Sequence, residues 1–224
     1  GAGGGAGSRL CADGPGGRRF LCKGPSYARR AGSDAAARGR YHVGNLRAQL
    51  LEEARAILDQ GGLAQLNLRA LASRTGIAPG SVYHHYAGKA ELLAELAALG
   101  FHQLELELSD AMATAPQGGR IRTLARTYFA FSKAEAALFG LMFDPAVATY
   151  PAVETARDRC FAVLEGAVAV ALPAREDAVE INKSARAVWA CGHGAASLRT
   201  ADPHRQDELM EDVIQGLELM FGRR

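Results

Sequence analysis

The stretch from Asn67 to Lys89, NLRALASRTGIAPGSVYHHYAGK, limits the possible folds of this chain more than any other. Leu68, Leu71 and Ala72 recur at helical spacing until Gly76 interrupts them. A few residues on, SVYHHY begins a second short helical segment whose apolar positions Val82 and Tyr86 are four apart. Gly76 suits the intervening turn because glycine takes a positive φ at little steric cost. Pro79 suits the first turn of the second helix, where the missing N–H would have had no intrahelical partner. Two short helices joined by such a turn form a helix-turn-helix, whose second helix can enter the major groove of duplex DNA.

Three pieces make the pattern specific: LASRTGI at Leu71 to Ile77, SVYHHY at Ser81 to Tyr86 and GKAELL at Gly88 to Leu93. On these the segment from about Leu46 to Leu96 resembles the DNA-binding domain of the TetR family of transcriptional regulators. Farther on, VWACGHGAASL at Val188 to Leu198 is similar to the Trp…His-Gly signature of one branch of that family's ligand-binding domains. Residues 1–40 match nothing in the family.

The resemblance implies roles for particular side chains. Lys89 and His85 fall at positions that touch phosphate, Tyr83 at one that touches the backbone or a thymine methyl, and Asn67 can donate its amide to phosphate while capping a helix. Base reading then falls to Arg69, Ser81 and His84, with Pro79 and Gly80 in close apolar or backbone contact. Arginine's planar fork matches the two acceptors of a guanine edge, whereas Pro79 and Gly80 offer no side-chain hydrogen bond. Plainer readings stand beside these. His84 and His85 are also a solvated pair or half of a metal site, although adjacent helical histidines diverge by about 100° and chelate poorly. Tyr83 is also a core aromatic and Lys89 a solvated lysine at a helix start.

Charge is arranged in keeping with a polyanion at one end. Residues 1–40 carry eight basic and two acidic residues, and residues 41–90 carry five and three. Residues 91–224 carry thirteen and nineteen. The net charge of +2 conceals this gradient, which favours DNA at the front of the chain and disfavours it behind. The glycine- and arginine-rich first 40 residues are expected to be a disordered basic arm, either a solvated extension or a clamp on DNA. No apolar signal region or serine-rich transit segment is evident, and no apolar run is long enough to span a bilayer. Cys11, Cys22, Cys160 and Cys191 lack metal-ligand spacing and read as incidental thiols of a reduced, intracellular protein; with the DNA-binding reading, the expected location is the cytoplasm, on the nucleoid.

From Asn45 the pattern is helical. Leu46, Leu50, Ala54, Ile57 and Leu58 share one face, with Arg47, Glu52, Glu53 and Arg55 on the other, until Gly61-Gly62. Asn67 is a good N-cap for the next helix. After Gly88 a long helix is expected to connect the two halves. Leu104 to Leu108 alternates with period two, but its place inside an unbroken helical pattern outweighs a strand. Further helices are predicted near Arg120–Lys133, Ala134–Phe143, Pro151–Leu172, Arg175–Thr200 and Asp207–Phe221, separated by proline-containing breaks.

The expectation is therefore an all-α protein. A three-helix helix-turn-helix domain (41–90) is followed by a helical-bundle ligand-binding and dimerisation domain (91–224). The second half holds no paired-carboxylate motif, GxSxG, phosphate-binding glycine loop or HExxH, so an enzyme is not expected, nor a metal or cofactor. Family resemblance implies a small-molecule pocket there, for which Phe129, Phe139, Met142, Phe143 and Trp189 are apolar candidates. His102, Asn182 and His193 are the polar ones, with His193 equally read as a packing histidine. Ala178, Ile181, Ala185, Val188, Gly192 and Ala195 form one stripe. Met210, Val213, Ile214, Leu217 and Phe221 form another. Such stripes are either intramolecular core or, as in the family, half of a four-helix homodimer interface that sets two recognition helices one DNA turn apart on a palindrome.

These readings describe a repressor released from its operator by a small, largely apolar effector. The rivals are a constitutive or protein-regulated DNA-binding factor with no small ligand, and an all-α enzyme or scaffold that carries the turn by chance.

Overall fold

A computed structural model describes residues 46–172, 177–198 and 203–222, which form nine α-helices and no strand. The expected basic arm, Cys11, Cys22 and the side chain of Phe221 lie outside the described residues. The helices are α1 (Leu46–Gln65), α2 (Leu68–Thr75), α3 (Pro79–His85), α4 (Lys89–Thr114) and α5 (Arg120–Ala134). They continue as α6 (Ala136–Met142), α7 (Pro151–Ala171), α8 (Ala178–Ser197) and α9 (Pro203–Gly222).

Local chemistry sets the boundaries at the front. Helix α1 loses helical geometry at Gly62, where φ is 69°. Asn67 caps α2 by accepting a 2.9 Å hydrogen bond from the Ala70 amide, which is worth about 1 kcal/mol. Gly76 closes α2 with φ 70°, and its amide bonds to the Ala72 carbonyl. Pro79 starts α3. Leu50, Ala54, Ile57 and Leu58 of α1 meet Leu71 and Ala72 of α2, Val82 of α3 and Tyr86 in one buried cluster.

Helix α4 runs from this small trihelical unit into the remaining bundle. Leu92, Leu96, Phe101 and Leu104 are buried along it, and the alternating leucines sit in regular helix, with Leu106 exposed. Burial follows the 3.6-residue helical period there, so the local period-two spacing has no structural counterpart. Gly100 brings α4 against α6. A Cβ at that position would lie 2.8 Å from Met142 Sδ and 2.9 Å from Leu138 Cγ.

Helices α5, α7, α8 and α9 complete the bundle. The stripe residues Ala185, Val188 and Ala195 of α8 and Met210, Ile214 and Leu217 of α9 are buried in this chain's own core. The intramolecular alternative accounts for them. The large apolar residues exposed on or beside those helices are Val179, Leu198, Leu219 and Met220, each more than half exposed, and the stripe residue Ala178 is exposed as well. Three of α9's neighbours are ionic. Arg122 pairs with Glu218 and with Glu211 at 3.0 Å, Arg126 pairs with Glu211 at 3.2 Å, and Lys133 pairs with Asp207. No described helix is long and apolar enough to cross a membrane.

Candidate nucleic-acid interface and effector cavity

The second helix of the turn motif shows a clear division between its faces. Val82 and the ring of Tyr86 are fully buried, which fixes α3 against α1 and α2. Pro79, Gly80, Tyr83 and His84 point outward, Tyr83 with 55% of its surface exposed. Ser81 and His85 are half-buried at its edges. Arg69 is exposed on α2, and Asn67 is exposed at the cap. Lys89 is exposed at the start of α4 and donates from Nζ to the Leu63 carbonyl at 3.2 Å. That bond uses one of its three ammonium donors. The nine candidate residues thus fall on α2, α3 and the first turn of α4, with no carboxylate among them.

Arg47 contributes what the sequence pattern did not reveal. It looks like a solvent-facing arginine of α1, yet its guanidinium gathers three elements. It donates to Glu95 of α4 at 2.6 and 3.0 Å and to the His85 carbonyl at 3.0 Å, and it lies 4.7 Å from the centre of the Tyr86 ring. Burial, reinforced by the Glu95 charge, pushes the Tyr86 phenol well above its usual range, so it stays neutral. The C-terminal end of α3 is therefore held to α1 and α4 by one side chain. Partners at such separations in sequence leave no local signal.

In the bundle, α4, α5, α7, α8 and α9 enclose a cavity of about 50 Å³. Buried Leu108, Leu124, Phe129, Cys160, Leu164, Val188 and Leu217 form its inner wall. Ala125 and Tyr128 of α5 and Trp189 and Gly192 of α8 line it while only half-buried, so the cavity approaches the surface along the α5–α8 seam. Burial pushes the Cys160 thiol up to about 12, which keeps it protonated.

Two of the expected pocket residues, Phe129 and Trp189, line this cavity. Phe139, Phe143 and His193 lie one layer away. Phe139 contacts Tyr128 at 5.5 Å between ring centres, Phe143 contacts Trp189 at 6.5 Å, and His193 sits 4.2 Å from Phe143. The other three do not line this cavity. His102 follows buried Phe101 by one residue, which turns it to solvent, where it meets Glu105 at 3.2 Å. Asn182 is bound to Glu165 and Arg186 near the start of α8. Met142 is buried at the α4–α6 contact. Gly192 reads from the sequence only as part of the α8 stripe, and the packing of α5 on α8 brings it beside Tyr128 at the wall. Among the described residues no cluster of three or more His, Cys, Asp or Glu could hold a metal.

Comparison with known proteins gives a consistent identification. Residues 50–96 match the family described as Bacterial regulatory proteins, tetR family, and residues 121–220 match Tetracyclin repressor-like, C-terminal domain. The HTH-type transcriptional repressor KstR2 of Mycobacterium tuberculosis is 43% identical over 54 residues, 24% of this chain and 27% of its own. The uncharacterized HTH-type transcriptional regulator YobS of Bacillus subtilis is 28% identical over 90 residues, 40% of this chain and 47% of its own. The matches thus span about a quarter and about half the length of these relatives. A protein of unknown function from a Rhodococcus species superposes with a TM-score of 0.64 at 26% identity, covering 82% of this chain and 96% of that one. The TetR family transcriptional regulator PfmR from Thermus thermophilus shares the fold, with a TM-score of 0.58 at 20% identity over 76% and 97% of the two chains. With a helix-turn-helix at one end and two matches from the same family along its length, the chain belongs to the tetR family of bacterial regulatory proteins, whose members are transcriptional regulators and not enzymes.

Proposed function

We propose that this protein is a homodimeric, DNA-binding transcriptional repressor that leaves a palindromic operator when a small apolar effector enters its bundle. The observation that carries the DNA reading is the outward face of α3, with Tyr83 and His84 exposed while Val82 and Tyr86 anchor the helix from behind. In this reading residues 41–90 are the DNA-binding domain and residues 91–224 the sensor and dimerisation domain. Lys89, Tyr83, His85 and Asn67 contact phosphates. Arg69, Ser81 and His84 read base edges, with Pro79 and Gly80 close to the groove floor. Repression as the sign is supported by the likeness to KstR2, itself named a transcriptional repressor.

Dimerisation through α8 and α9 is supported by the exposed apolar residues Val179, Leu198, Leu219 and Met220. The effector half rests on the cavity between α5 and α8. To work as a switch, the effector must favour one spacing of the two α3 helices over the other by a few kcal/mol, since equal binding to both shifts nothing. A second reading, a DNA-binding factor without a small ligand, is favoured by the cavity's volume of about 50 Å³. That is about a third of an engineered cavity that admits benzene.

A gel shift tests the DNA half. The DNA is selected from random sequence by the unmodified protein. Tyr83→Ala and Lys89→Ala are each expected to weaken binding about tenfold, with unchanged melting temperature. Unaltered binding in both would refute the assignment. The sensor half fails if no compound in a broad apolar library changes DNA affinity.

A further inference from the structure

The α5–α8 seam, where the cavity nears the surface, is crossed by one side-chain hydrogen bond. Tyr128 Oη on α5 lies 3.1 Å from His193 Nδ1 on α8, and the other ring nitrogen of His193 lies 3.3 Å from Ser197 Oγ. The Tyr128 ring is part of the cavity wall, and its hydroxyl is turned to the histidine at the edge of that wall. Trp189 and His193 are four apart on α8, so both face the same side of the helix, with Gly192 between them at the cavity. The rest of the lining offers no side-chain hydroxyl, amide or charge; beyond Tyr128 its side-chain polar hydrogens are the Trp189 indole N–H and the Cys160 thiol, neither of which can accept as well as donate strongly. From this geometry we infer that Tyr128, positioned by His193, is the hydrogen-bonding handle of the effector site. The ligand class it selects is an uncharged, mainly hydrocarbon molecule carrying one hydroxyl or ketone oxygen. The inference rests on the reading of this cavity as an effector site and specifies what that site accepts.

The chemistry of the pair argues for a neutral oxygen. His193 is half-buried among Phe139 and Phe143, and this desolvation holds its pKa below the ordinary value, so the ring is neutral near pH 7. A neutral imidazole has one donor and one acceptor nitrogen. In one tautomer Tyr128 donates to Nδ1, and its oxygen is left to accept from a ligand hydroxyl. In the other Nδ1–H donates to Tyr128, and the phenolic proton is left for a ligand ketone. Exchange of tautomer, relayed to Ser197, serves both groups without a charge. A carboxylate would leave water for a few neutral donors and no positive charge, which does not offset its desolvation. Entry along the seam separates α5 from α8 where this bond joins them, so the ligand oxygen can take over a hydrogen bond that the opening breaks.

The chain contains one tryptophan, Trp189, and it lines the cavity, so its emission reports occupancy. The full chain is titrated at pH 7.5 with methylcyclohexane, cyclohexanol, cyclohexanone and cyclohexanecarboxylate. A purely apolar site discriminates against a hydroxyl in place of a methyl by about 100-fold. With the handle, cyclohexanol and cyclohexanone are expected to bind within about fivefold of methylcyclohexane, and the carboxylate at least tenfold more weakly. Tyr128→Phe should weaken the alcohol and ketone by about five- to tenfold and leave the hydrocarbon unchanged. Gly192→Leu, whose first added atom would meet nothing within 4 Å, should weaken the uncharged compounds alike by narrowing the seam.

Three results would overturn the inference while leaving a ligand cavity in place. They are an alcohol about 100-fold weaker than the hydrocarbon in the unmodified chain, equal losses for both in Tyr128→Phe, and a carboxylate that binds best. Absence of any Trp189 response or thermal shift up to the solubility limit with all four compounds would instead overturn the effector reading of the cavity itself. The comparison in the unmodified chain stands even if Tyr128→Phe fails to fold.

Discussion

Two cysteines of the described chain differ in surroundings, and their chemistry should follow. Cys160 is buried in the cavity wall with its thiol pushed up to about 12, whereas Cys191 is exposed on α8. The thiolate is the reactive form. Iodoacetamide at pH 8 should therefore modify Cys191 within minutes and leave Cys160 intact until the chain is unfolded, as read by peptide mass mapping. Equal modification of both in the native protein would contradict the packing around the cavity. His193 gives a pH signature. Its ordinary value is 6.5, and burial holds the folded value lower. As pH falls below 6.5 the unfolded chain takes up this proton first, so the group's contribution to stability declines through the window down to the folded pKa and is flat above it. Thermal melts between pH 7.5 and 5 should show a shallower loss for His193→Gln than for the unmodified chain. Parallel curves would mean the imidazole is not desolvated.

At the scale of helices, two contacts decide how the bundle is held. Gly100 lets α4 approach α6 so closely that one added carbon would fall 2.8 Å from Met142 Sδ. Gly100→Ala should destabilise the protein by about 1–3 kcal/mol through overpacking, measured by chemical denaturation. The Gly100→Ala, Met142→Ala double variant should lose less than the sum of the two single losses, since the two sites share one space. Arg122 ties α5 to α9 through Glu218 and Glu211; its guanidinium holds the Glu218 carboxyl below its usual value, while Glu211 is lowered chiefly by its hydrogen bond to Arg126. A carboxylate with a depressed folded pKa stabilises above its unfolded value and loses that contribution as pH falls through the folded one. The melting difference between Arg122→Gln and the unmodified chain should hold from pH 7 to about 5 and shrink in stronger acid. A difference that persists at pH 2 would show another cause.

Much of this architecture is legible from local chemistry. Gly76 with a positive φ, Asn67 as a cap and Pro79 at the first turn of α3 are read directly from residue types, and α7 and α9 begin at Pro151 and Pro203. Those features act within a few residues, where sequence carries the information. Arg47 and the Tyr128–His193 bond join residues 38 to 65 positions apart, and their meaning depends on how helices cross. The pocket was legible only in kind. Aromatic residues mark the bundle interior, but which of them face a cavity depends on rotation about each helix axis. His102 shows the limit, being one residue from buried Phe101 and yet in solvent.

For the molecule as a whole, the account requires two copies. The outward residues Leu219 and Met220 of α9, 59% and 64% exposed, lie on the proposed mating face. Leu219→Glu with Met220→Glu should convert a sedimenting dimer at micromolar concentration to a monomer and weaken operator binding by at least tenfold, leaving the helical circular dichroism unchanged. A monomeric unmodified chain would count against the dimer. The most direct test of the central claim, that a two-fold pair of α3 helices grips one duplex through Tyr83 and Lys89, is hydroxyl-radical footprinting on DNA selected by the protein. The account predicts two protected patches related by an inverted repeat and centred about one helical turn, or a whole number of turns, apart, both lost in Tyr83→Ala and Lys89→Ala. A single asymmetric patch, or a paired footprint that survives both substitutions, would contradict it.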